Sequence, residues 1–153
     1  MNDRNDTATP VSQENITGNN AEKSPLKKDE AARKRILIVD DVLVMRLRLR
    51  TQLEDSGFMV FEAEDGEKAL AFLEYNPDIH LIITDVSMPV MDGIEFIRRL
   101  RKSSEYSAIP VIVCTAKGEF SVVRQAKQLG VQGFLVKPIA KPTLLSVIRR
   151  ELD

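Results

Sequence analysis

Five side chains able to do chemistry each stand at the end of a short apolar run. Asp40 and Asp41 follow Arg35-Ile36-Leu37-Ile38-Val39, and Asp85 follows Leu81-Ile82-Ile83-Thr84. Thr115 ends Val111-Ile112-Val113-Cys114, and Lys137 follows Phe134-Leu135-Val136 and precedes Pro138. In an open parallel α/β sheet the carboxyl ends of the strands share one edge, and ligands bind there. The spacing therefore predicts three carboxylates, a hydroxyl and an ammonium in one cleft. Such a set suits Mg2+ through hard oxygen donors, and a phosphoryl group through a fixed cation and a hydroxyl donor.

Taken singly, each residue has a plainer role. Asp40-Asp41 can cap a helix, Thr115 can be an ordinary β-branched strand residue, and Lys137 can be a solvated loop charge. Three carboxylates brought together repel one another and destabilise a fold unless a cation compensates, which favours a metal role for the set. Phe134, three residues before Lys137, is either core filling or a ring able to turn between exposed and inward packing.

The elements that must position these groups alternate from Lys34 onward. Strands are predicted near 35–40, 58–63, 80–85, 110–115 and 131–136, and helices near 42–56, 66–75, 92–102, 119–129 and 141–152. Val42, Met45, Leu49 and Leu53 recur at helical spacing, with Arg46 and Arg50 on other faces. Gly57 after Ser56 fits a helix C-terminal cap, and Asp65-Gly66 fits a turn into the second helix. Five βα units imply right-handed crossovers and a doubly wound α/β sheet. The Arg98-Arg99 and Arg101-Lys102 cluster is read as a solvated helix end favoured by the dipole.

Residues 1–33 read as a disordered tail. They hold no aromatic residue, and Val11, Ile16 and Leu26 are too few to offset ordering entropy. Lys27 to Arg35 can extend helically toward the domain. Asn15-Ile16-Thr17 matches a glycosylation acceptor, but no secretory signal precedes it, so it is read as a chance match.

Net charge is -1; the tail carries six of the 23 acids and five of the 22 bases, leaving 17 of each. A balanced domain gives no basic excess for nucleic acid or anionic lipid. A single Cys excludes an internal disulfide and fits a reducing compartment. No apolar run reaches membrane-spanning length, so a cytoplasmic protein without membrane insertion is expected. One Cys and one His do not supply a zinc site, and no phosphate-binding glycine loop or dinucleotide fingerprint is present.

Taken together, the motifs resemble the receiver domain of two-component response regulators, most of all the single-domain chemotaxis type. The matching residues are Asp40-Asp41 with Met45-Arg46, Asp85 with Met88-Pro89 and Met91-Asp92-Gly93, Thr115-Ala116, and Lys137-Pro138. Each motif alone is weak, but their joint order is specific, and the resemblance covers residues 34–153. It implies a (βα)5 flavodoxin-like fold with strand order 2-1-3-4-5 and no output domain.

The resemblance also implies roles. Asp85 is the phosphoacceptor. Asp41 and Asp85 ligate Mg2+ (or Mn2+), Asp40 contributes through water, and the backbone carbonyl of Ser87 completes the set. Thr115 and Lys137 contact phosphoryl oxygens. Thr115 and Phe134 form a switch that reshapes the face of the fourth helix, fifth strand and fifth helix. Ser87 and Lys117 tune dephosphorylation, and Lys117 is expected to slow it. The donor is a histidine kinase or a histidine phosphotransfer protein; His80, at the strand end opposite Asp85, is read as a surface residue and not a donor, which leaves another protein or a small phosphodonor. The output passes to a partner protein, and a phosphorylation-dependent homodimer is compatible with the same face. On this reading the protein is not an enzyme toward outside substrates; it catalyses only its own phosphorylation and dephosphorylation. The alternatives are a phosphate-independent pseudo-receiver or adaptor, and a phosphate sink.

Overall fold

The computed structural model describes residues 30–153. The readings made for residues 1–29 lie outside the described residues. Residues 30–32 are helical, but Arg35 already belongs to the first strand, so the helical extension does not reach it.

Five strands alternate with five helices from Arg33 to Asp153: β1 (Arg35–Val39), α1 (Leu43–Asp55), β2 (Met59–Ala63), α2 (Gly66–Tyr75), β3 (Leu81–Asp85), α3 (Gly93–Lys102), β4 (Val111–Thr115), α4 (Phe120–Gln128), β5 (Gly133–Val136) and α5 (Lys141–Leu152). All strand pairs are parallel, in the order β2-β1-β3-β4-β5, as the resemblance implied. The predicted bounds hold to within two residues.

Alternate strand residues feed two cores, as the period of two requires. Leu37, Val39, Ile82, Val111 and Val113 join Leu73 of α2, Phe96, Ile97 and Leu100 of α3, and Ala126 of α4. Ile36, Ile38, Leu81, Ile83, Ile112 and Leu135 join Leu49 and Leu53 of α1 and Leu144 and Ile148 of α5. The sheet is thus covered by α1 and α5 on one face and by α2, α3 and α4 on the other. Strands buried on both faces explain why β1, β3 and β4 read as unbroken apolar runs.

Local chemistry sets the helix ends. Asp65 accepts a hydrogen bond from the Lys68 N–H at 2.9 Å, and Asp92 accepts one from the Glu95 N–H at 2.8 Å, capping α2 and α3. Gly57 takes φ +94° just past α1, a left-handed turn that glycine enters without steric cost.

Two expectations change. Val42 does not join the apolar stripe of α1: it is the N-cap position and is exposed, as are Leu43, Val44 and Leu47, while Leu49 and Leu53 are buried. The core-facing stripe begins a turn later, because the chain has only just left the sheet edge. Arg101 is not solvated either. Its guanidinium donates to the backbone oxygens of Leu129, Ser107 and Ile109 at 2.8–2.9 Å, tying the end of α3 to the segment after α4 and the loop before β4. Three acceptors outweigh the favourable dipole of an open helix end. Arg98 and Arg99 both pair with Glu95.

Candidate functional site

Register brings the strand ends level. Val39 lies beside Thr84, Asp85 beside Cys114, and Thr115 beside Val136. Asp85 and Thr115 therefore end adjacent strands at one edge, with Asp40 one residue past β1 and Lys137 one residue past β5. A backbone bond from the Lys137 N–H to the Thr115 carbonyl, 2.9 Å, brings that loop against β4. The Lys137–Pro138 peptide bond is cis.

Within this edge, Asp40, Asp41 and Asp85 each offer a carboxylate oxygen, and these oxygens lie within 4.8 Å of one another. Lys137 Nζ donates to Asp85 Oδ2 at 2.9 Å and stands 3.7 Å from Asp40 Oδ2. The other oxygen of Asp85 accepts from the Val86 N–H at 2.7 Å. Neither aspartate of the pair caps α1: the cap position is Val42, and it has no side-chain hydrogen bond. Asp40 Oδ1 instead accepts from the Val42 N–H at 2.9 Å.

Burial and charge act against each other here. Asp40 is 2% exposed. Desolvation pushes its carboxyl above the ordinary carboxylate range, against the pull of the Val42 N–H and of Lys137. Burial would lower the ammonium of Lys137, but the bond to Asp85 and the charges of Asp85 and Asp40 outweigh it, and the net shift is upward. Cys114, beneath the cleft on β4, is pushed up to about 12 by burial and acts as a small apolar side chain. A divalent cation fits the donor set. The oxygens are hard, the three carboxylates outnumber the single ammonium, and the buried Asp40 is the one whose charged form burial disfavours.

Thr115 is buried at the end of β4, while Ser87 and Lys117 are exposed on the loops after β3 and β4. Phe134 is half-buried on β5, and Lys127 Nζ of α4 stands 5.8 Å from its ring centroid. Val122 packs against the same core as Phe134, and Ala126 is fully buried. His80 is exposed before β3, and its Nδ1 accepts from the Arg35 N–H, at the end of the sheet remote from Asp85.

Several residues at the site escaped the sequence reading. Gly93 is required by contact: a Cβ there would meet the carbonyl oxygen of Asp85 at 2.2 Å. The Glu119 carboxylate accepts from the Ala116 N–H at 3.1 Å. Arg46 and Glu62 flank the acidic pair. Gly93 and Arg46 lay in quoted motifs, but the contacts that give them, Glu62 and Glu119 their places are signalled by no local spacing. An open groove of about 710 Å³ runs from Asp41 and Ser87 along α3 to Val122 and Gln125 of α4.

A family model described as "Response regulator receiver domain" matches residues 36–149. The chain is 39% identical over 111 residues to chemotaxis protein CheY-3 of Vibrio cholerae, covering 72% of this chain and 85% of that one. It is 38% identical over 121 residues to chemotaxis protein CheY of Bacillus subtilis, covering 78% and 98%. Among solved structures, chemotaxis protein CheY4 of Vibrio cholerae superposes with a TM-score of 0.74 at 36% identity, covering 79% of this chain and all of that one. With strand order, strand-end chemistry and matched segment in agreement, the chain belongs to the response regulator receiver domain family.

Proposed function

We propose that this protein is a phosphorylation-controlled switch of a two-component system, with Asp85 as acceptor. The observation that carries the reading is the cleft itself. Asp85 presents one oxygen to Lys137 at 2.9 Å and shares a space within 4.8 Å with carboxylate oxygens of Asp40 and Asp41.

Asp41, Asp85, the backbone carbonyl of Ser87 and, through water, Asp40 would hold Mg2+ or Mn2+. When bound, the cation supplies charge neutralisation for the transferring phosphoryl group. An oxygen of Asp85 attacks the phosphorus of a phosphohistidine. The new P–O bond replaces the P–N bond, and the imidazole leaves with the electron pair. Carboxylate attack requires alignment and charge neutralisation more than an added base. Lys137 shifts from Asp85 to a phosphoryl oxygen, and the Thr115 hydroxyl donates to another. Water later attacks the phosphorus, releasing phosphate and restoring the carboxylate. Ser87 and Lys117 flank that water's path, and the long cationic Lys117 slows its entry. A Lys117→Ala variant accordingly loses phosphoryl faster.

Phosphorylation places a charge of roughly -2 beside Thr115. Thr115 moves toward it, Phe134 turns inward from its half-buried position, and the face of α4, β5 and α5 changes shape for a partner protein or for a second copy. The donor is a histidine kinase or phosphotransfer protein. The exposed Val42, Leu43, Val44 and Leu47, directly after the acidic pair, give it an apolar surface beside the cleft. On this reading the chain acts on no outside substrate and inserts in no membrane; among the described residues no helix is long and apolar enough to cross one. Balanced charge disfavours direct nucleic-acid binding, and a cytoplasmic setting fits. The domain of residues 34–153 carries the switch.

The test is intact-protein mass after incubation with acetyl phosphate and Mg2+, for wild type and Asp85→Asn. A phosphoryl-sized gain in wild type alone supports the reading. A gain in both moves the acceptor elsewhere, and no gain with any donor favours a phosphate-independent adaptor.

A further inference from the structure

Asp40 is held from every side except the cleft. Its N–H donates to the Ala63 carbonyl of β2 at 3.1 Å. Its Oδ1 accepts from the Val42 N–H, and its own carbonyl accepts from Arg46 Nη1 at 2.7 Å. Only Oδ2 remains, on the side of Lys137.

The arm that grips the carbonyl is itself anchored. Arg46 Nε donates to Glu62 Oε1 at 3.1 Å, with the two side chains 12% and 18% exposed. The second oxygen of Glu62 pairs with Arg50 Nη1, while Arg50 Nη2 donates to the Val60 carbonyl at 3.0 Å. A rigid planar fork thus spans from β2, through one turn of α1, to the backbone of the acidic pair. Asp40 is 2% exposed, so its carbonyl needs a partner, and the one it has is a guanidinium fixed at its other end to β2.

We propose that Arg46, braced by Glu62, is a positioning residue for the acidic pair: it fixes the Asp40 peptide so that Asp40 and Asp41 face a divalent cation together. The inference rests on the proposed cation-binding role of that pair. Because Glu62 balances its charge, Arg46 acts through geometry rather than through its field. The two effects differ in sign. Removing a cation beside three carboxylates tightens Mg2+ binding if only charge matters, whereas removing a brace weakens it. Loss of a group that orients metal ligands costs about tenfold or more in metal affinity.

The experiment is an NMR titration of the unphosphorylated full chain with MgCl2, following the amides of Asp41 and Val42, with urea midpoints recorded for each variant. Asp41→Asn comes first; if it leaves the Mg2+ affinity of the wild type unchanged, the cation reading of the cleft fails before Arg46 is tested. With that control in place, Arg46→Met is expected to raise the apparent Kd about tenfold. Arg46→Lys, which keeps the charge but has no fork, is expected to rescue it by no more than half of that on a logarithmic scale. Glu62→Gln weakens binding in the same direction and adds nothing in the Arg46→Met background, since both act through one contact. Unchanged or tighter binding in Arg46→Met overturns the proposal. If that variant does not fold, Glu62→Gln decides alone, and unchanged affinity there overturns it equally.

Discussion

Helices α3 and α4 flank the groove beside Asp85, yet they are built differently. α3 buries Gly93, Ile94, Phe96, Ile97 and Leu100, is capped by Asp92, and is tied at its far end by Arg101. α4 buries only Ala126, has no side-chain cap at Glu119, and exposes Phe120 almost fully. Elements with few buried apolar contacts open at lower free energy than those embedded in a core. One wall of the groove is therefore held firmly to the strand of Asp85, and the other is held by fewer buried contacts. The proposed phosphorylation switch would use both, since a phosphoryl group on Asp85 could displace the looser wall only if its own support stays still.

The contrast is broken most directly at Gly93. A Cβ there meets the backbone of Asp85 and Val86, which has nowhere to move. Gly93→Ala is expected to destabilise the domain by about 4 kcal/mol or to prevent folding, read from urea denaturation. Truncation on the two helices should differ next. Phe96→Ala should lose about 4 kcal/mol through its cavity. Val122→Ala, half-buried on α4, should lose about 1 kcal/mol or less. Equal losses at the two positions would abolish the distinction.

A smaller effect falls where the helices are joined. Arg101→Met leaves the carbonyls of Leu129, Ser107 and Ile109 without that donor, and roughly 2 kcal/mol should be lost. Hydrogen exchange should quicken at the end of α4 while the first turn of α3 is unchanged.

The smallest lies in that first turn. Arg99 and Arg98 hold the Glu95 carboxyl below its ordinary value. Its contribution is therefore complete above the ordinary glutamate value and lost as pH falls through the lowered one. Glu95→Gln should lower Tm slightly at pH 7, with the gap closing through that acid window and in high salt.

How much of this could be read in the chain depends on where a residue's partners sit. Strand ends were legible because each apolar run stops at a residue of distinct chemistry, and parallel topology gathers those stops at one edge. Asp65 and Gly57 were legible because caps and turns are local. Arg101 was not, because its acceptors lie up to 28 positions away, and an arginine near a helix end looks solvated. Arg46 stood within a quoted motif, yet its link to Glu62 crosses 16 positions and two elements. The exposure of Val42 was missed because apolar spacing shows which face a helix buries but not where it first meets the sheet.

The parallel register has a practical side. Every helix runs back from the cleft edge, so α5 finishes where β5 starts: Glu151 lies against Gly133. The chain enters β1 at that same edge, at Arg35. Both ends of the folded unit thus leave from the side remote from Asp85. An affinity tag, a surface linkage or a fused domain joined after Asp153 would start from the side remote from the cleft, so the domain can be tethered there without masking Asp85.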